Sequence, residues 1–117
     1  MKEIVMRNIY NDIKEISSRY LQEESWLGND PNKCSSYTEV MCRLFDDNRV
    51  EDFLKSTVLE IGFSQELILV FNKLVIKLNN YSELQPDSEI INDPRWEEIR
   101  KIAEKVIVLW DNEKCNI

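Results

Sequence analysis

Histidine is absent from all 117 residues. Its absence excludes Ser-His-Asp and Cys-His catalysis, HExxH zinc sites, histidine-containing zinc fingers and the Glu-x-x-His pairs of four-helix di-iron proteins. The two glycines, Gly28 and Gly62, stand alone, so neither a phosphate-binding loop nor a dinucleotide fingerprint can be assembled. Proline is nearly as scarce, at three residues. Little material is left for hairpins, and the 32% of charged residues suits helices with solvated outer faces. The expected fold class is therefore all-α. The three cysteines (Cys34, Cys42 and Cys115) are odd in number and irregularly spaced. They fit reduced thiols better than a disulfide framework or a zinc site. No apolar run approaches the ~18 residues that would cross a bilayer.

Basic residues are also in short supply. Twenty-two acids against 15 bases give a formal charge of −7, shared by residues 1–60 (12 against 8) and 61–117 (10 against 7). No basic tail or stripe is present for nucleic acid or anionic lipid, and an acidic surface attracts basic partners. Acidity kept only for solubility is the competing explanation. The first eight residues, Met1 to Asn8, carry charges where a signal peptide needs its apolar region. A cytosolic protein is expected.

The length suits one domain, 1–117. Leu67 to Leu78 is apolar at all but Asn72, Lys73 and Lys77. Its length and the 67, 71, 74, 78 spacing favour a helix over a strand, and a helix so apolar belongs inside. A single compact bundle of about five helices is expected around this buried central helix, about 64–80, capped by Ser64. Ahead of it, Met6, Ile9, Ile13, Ile16 and Tyr20 step by 3 and 4, predicting one amphipathic helix from about Lys2 to Glu24. Residues 25–35 read as a loop, in which Trp26 is either a plug over one end of the bundle or an exposed anchor for a partner. Ser36 to Glu39 matches a capping box and opens a helix to about Asp47, with Val40, Met41, Leu44 and Phe45 inward. Another helix from about Arg49 buries Val50, Phe53, Leu54, Val58 and Ile61 and stops at Gly62. Residues 81–92 lack periodicity and read as a connection pinned by Ile90 and Ile91. Asp93 and Pro94 then open the last helix, which buries Ile99, Ala103, Val106 and Trp110, with Trp96 closing its near end and residues 112–117 fraying.

No convergent catalytic set emerges. The pairs Glu23/Glu24, Asp46/Asp47 and Glu97/Glu98 are adjacent, so on a helix their side chains diverge by ~100°. Residues 46–52 superficially resemble a calcium loop, but Glu51 stands where the turn demands glycine, and Arg49 is misplaced among the ligands. Cys42 would lack a base. No enzyme, metal or cofactor is expected. What remains is a binding surface: Asp46, Asp47, Glu51 and Asp52 gather at a helix junction and, with Trp26, form the candidate partner site.

Trp26-Leu27-Gly28 in a loop, Ser35-Ser36-Tyr37-Thr38-Glu39 leading to Leu44-Phe45-Asp46-Asp47, and Ile91-Asn92-Asp93-Pro94-Arg95-Trp96 opening the last helix resemble immunity proteins of bacterial toxin systems, the contact-dependent growth inhibition group in particular. The resemblance covers the middle and C-terminal segments. It implies a cytoplasmic protein that binds the toxin domain of its own system, often a nuclease with a basic cleft, and neutralises it by covering that cleft or a nearby surface. An alternative from another class is a non-enzymatic helical adaptor, or a module that self-associates through its heptad-like first helix.

Overall fold

Ile9, Ile13 and Ile16 are completely buried, so the 3-and-4 spacing of the first segment does define a core face. In the computed structural model, which describes residues 2–32, 34–81 and 86–115, that segment is nevertheless two helices, α1 (Lys2–Ser17) and α2 (Arg19–Trp26). The chain breaks at Ser18, which is extended and caps α2 by accepting the Leu21 N–H at 3.1 Å. Such a break strands the last carbonyls of α1. Gln22 satisfies two of them, its Nε2 donating to Glu15 O at 2.9 Å and Ile16 O at 2.7 Å. The change of phase brings Gln22 fully inside and turns Tyr20 out to 66% exposure, correcting the expectation that Tyr20 continues the inner face.

Ser36 caps the next helix as expected, accepting the Glu39 N–H at 3.0 Å. This helix, α3, spans 37–47: it is regular over Tyr37–Met41 and widens to π-helical turns over Cys42–Asp47. The N–H of Asn48 closes it on Arg43 O, five residues back, at 2.9 Å. Arg49 then takes the left-handed conformation (φ 48°, ψ 58°), and α4 runs over 50–61 with a second π-helical stretch at Phe53–Thr57. Gly62, at φ 79°, ends it. Val50, Phe53, Leu54 and Val58 are buried as expected, whereas Ile61 is exposed.

Ser64 caps α5 (Gln65–Asn80), accepting from Leu67 N at 3.2 Å. The helix lies where its apolar run predicts, but only Leu67, Phe71, Leu74, Val75 and Leu78 are inside. Leu69 and Ile76 are 69% and 59% exposed. The expectation of a buried central helix is therefore corrected: α5 is an outer helix with one buried face. Within the segment expected to be irregular, a short helix, α6 (Asp87–Ile91), forms, and Ile90 and Ile91 do pin it to the core. Residues 82–85 of that connection lie outside the described residues.

The middle of the fold belongs to α7 (Pro94–Cys115), which packs against α1 on one side and α5 on the other. Asp93 starts it, its Oδ1 accepting the Arg95 N–H at 2.9 Å. The helix continues through Cys115, beyond the expected onset of fraying; residues 116–117 lie outside the described residues. Two aromatic groups sit about 21 Å apart along it, at 1.5 Å of rise per residue. Trp96 packs with Trp26, Tyr37 and Tyr81 near one end. Trp110 packs with Tyr10, Phe53, Phe63 and Phe71 near the other. The fold is all-α, with seven helices among the described residues rather than about five. No described helix is long and apolar enough to cross a membrane.

Candidate functional site

The four candidate carboxylates flank the α3–α4 junction. Asp46 and Asp47 end α3, Glu51 and Asp52 open α4, and all four are exposed. The left-handed Arg49 between them turns one helix end into the next start. Glu51 and Asp52 lie in a first helical turn, where the positive end of the helix dipole favours them. Asp46 and Asp47 occupy a last turn, where the dipole disfavours an acid by about 0.3–1 kcal/mol. Among the described residues, no hydrogen bond or ion pair engages the side chains of Asp46, Asp47 or Asp52. Glu51 has only a long contact, Oε2 accepting from Asn79 Nδ2 at 3.4 Å.

Trp26 does not join them as an exposed anchor. It is 8% exposed, its ring packs against Tyr37 and Trp96, and its Nε1 donates to Glu15 Oε2 at 2.8 Å. Of the two roles foreseen for it, the structure has the plug. The reason is Glu15, which reaches over from α1 to take the indole N–H and so lets the whole side chain be buried.

The junction is braced from beneath by a polar network absent from the sequence expectations. Asp12 and Glu15 share one face of α1. Arg43 of α3 lies across from them, its Nε donating to Asp12 Oδ1 at 3.0 Å and its Nη2 to Glu15 Oε1 at 2.9 Å. Asn48 Nδ2 donates to Asp12 Oδ2 at 3.1 Å, and Ser35 Oγ to Glu15 Oε2 at 2.7 Å. These groups floor a cleft of about 510 Å³, whose walls include Asn8, Asn11 and Asp47. Every oxygen of Asp12 and Glu15 thus accepts a hydrogen bond from within the protein, as a structural strut requires.

Burial raises the Asp12 carboxyl above its ordinary 3.8, outweighing the lowering by Arg43 and Asn48. For Arg43, burial is the largest single influence and opposes the charge; hydrogen bonds and charges from Asp12 and Glu15 together outweigh it and hold the guanidinium ionised. A signal for this strut does exist in the sequence. Asp12 falls inside the apolar stripe of Ile9, Ile13 and Ile16, and an acid at such a position requires a partner.

Fold and junction together define an all-α protein presenting a carboxylate-rich helix junction on a braced frame. Comparison with known proteins goes no further: no family model, no curated protein and no solved structure matches the chain.

Proposed function

We propose that this protein is a binding module that engages a basic protein surface through Asp46, Asp47, Glu51 and Asp52. The partner is a toxin domain, and the module neutralises it by covering a basic surface, the role implied by the resemblance to immunity proteins. One observation carries the reading. Asp46 and Asp47 stand exposed and without a partner among the described residues at a helix C-terminus, where the dipole makes an acid unfavourable and folding alone gives no reason for it. The net charge of −7 extends the same attraction over longer range.

The test begins with capture of the tagged protein from its own cells, followed by association kinetics with the retained partner. Asp46→Lys/Asp47→Lys places cations where the dipole favours them, so thermal stability is expected to hold while association at low salt slows roughly tenfold and loses most of its salt dependence. An unaltered association rate rejects the junction as the docking surface. Retention of a housekeeping assembly instead of a basic domain rejects the toxin assignment.

The second reading is a non-enzymatic adaptor or self-associating module; Ile9, Ile13 and Ile16 of its heptad-like first helix are buried within this chain. The exposed Leu69 and Ile76 on α5 move that second reading to a different face. A sedimentation coefficient that rises with concentration would favour it.

A further inference from the structure

On the face of α3 away from the strut, Met41 and Phe45 are half-buried. With Tyr37, Leu78 and Tyr81 they line an open groove of about 330 Å³. Its floor is thioether, alkyl and aromatic. Thr38, Cys42 and Asn79 complete its lining, and Glu51, just outside it, accepts from Asn79 through Oε2 alone. Oε1 of Glu51 has no partner among the described residues. Asp46 directly follows Phe45 in the chain and is exposed beside the groove's lining.

We infer that this groove receives a lysine or arginine side chain from the basic partner, with the aliphatic stem against Met41, Phe45 and Tyr37 and the charged end at Glu51. The inference rests on the proposed function and deepens it by naming what docks. Two features select the occupant. An apolar side chain would cover the floor but leave the exposed carboxylates beside it, Glu51 and Asp46, without a counter-charge. A small cation would pair with Glu51 but leave the floor wet. A long cationic side chain does both, since it lays its methylenes along apolar surface and keeps its head at the polar edge.

The Asp12–Arg43 cleft is the larger concavity, but its buried carboxylates already have all their oxygens engaged. The groove also supplies the apolar component of docking that Trp26, buried as a plug, does not.

The test uses the isotopically labelled full chain and three small probes: acetyl-arginine amide, acetyl-lysine amide and the uncharged acetyl-norleucine amide. The cationic probes are expected to shift the amide resonances of Thr38, Met41, Cys42, Phe45 and Asn79, and to do so less at high salt. Glu51→Gln, a surface change that should leave the fold intact, is expected to weaken them roughly two- to fivefold, the effect of one exposed ion pair. Tighter binding of either cationic probe supports the assignment and identifies which side chain docks.

Equal binding by the norleucine amide overturns the choice of a cation. Shifts centred on Asp12 and Arg43, or none at all, overturn the site. The two proposals fail separately. A captured basic partner that binds Glu51→Gln and Met41→Ala as tightly as the natural sequence removes the groove and leaves the junction standing. Probe binding in the groove without any basic partner in the cell removes the toxin reading instead.

Discussion

Gln22 is the residue on which the junction of α1 and α2 depends. Its amide nitrogen serves two α1 carbonyls while its oxygen accepts the Trp96 N–H at 3.0 Å; the bonds to Ile16 and Trp96 are buried and the one to Glu15 partly so. Replacement by leucine preserves bulk and removes every one of those partners. Gln22→Leu should therefore lower stability by about 2–4 kcal/mol, since each stranded buried group costs about 1–3 kcal/mol. Urea unfolding measures this, and a loss below 1 kcal/mol would mean that water takes the place of the amide. Asp12 makes a prediction about pH. Its folded pKa lies above the ordinary 3.8, so the folded state holds this proton more tightly than the unfolded chain does. Its contribution is complete below 3.8, declines as pH rises toward the raised folded value, and is constant above that. Unfolding curves across this range should show the decline in the natural sequence and a flatter profile in Asp12→Asn. Some of this was legible before the structure. The position of Asp12 inside an isoleucine stripe marks it as needing a partner, but Arg43 is 31 residues further on, and nothing local connects them.

Among the elements, α3 and α4 depart most from ideal geometry. Both carry π-helical turns, and Arg49 joins them in a conformation that costs a residue with a Cβ about 1–2 kcal/mol. Glycine escapes that cost but loses roughly 0.5–1 kcal/mol through its freer unfolded chain. Arg49→Gly is expected to be neutral or to stabilise by up to about 1 kcal/mol, read as a shift in the denaturation midpoint. A clear loss would show that the exposed Arg49 side chain contributes more than its strain costs. Helix starts were the most legible feature of the chain. Ser36, Ser64 and Asp93 each cap where a short polar side chain precedes a periodic run. The division of the first segment was less so, because Ser17-Ser18 interrupts a stripe whose period continues on both sides. Nor did the apolar content of α5 reveal its position, since hydropathy records how much of a helix tolerates burial, not how many neighbours it has. Its outer residues Leu69 and Ile76 are exposed because α7 covers only one flank and α4 supplies the rest of the inner wall.

On the scale of the whole molecule, the all-α class followed from scarce glycine and proline and abundant charge, and the fold agrees. The location of the acids was equally legible, because four carboxylates within seven residues cannot be buried together. The frame beneath them and the groove beside them were not, since both arise where α3 meets distant elements, α1 on one face and the end of α5 on the other. The first and last described helices are also direct neighbours, and α7 alone brings Trp96 and Trp110 to the two aromatic groups. This arrangement bears on biogenesis. While the chain is being made, Ile9, Ile13 and Ile16 wait without the surface that will cover them until residue 110 has left the ribosome. Until Pro94 and the residues after it emerge, α1 and α5 each lack the helix they pack against most extensively. Acquisition of structure should thus be a single late event, and the earlier helices must remain in solution on the strength of their abundant carboxylates until it happens.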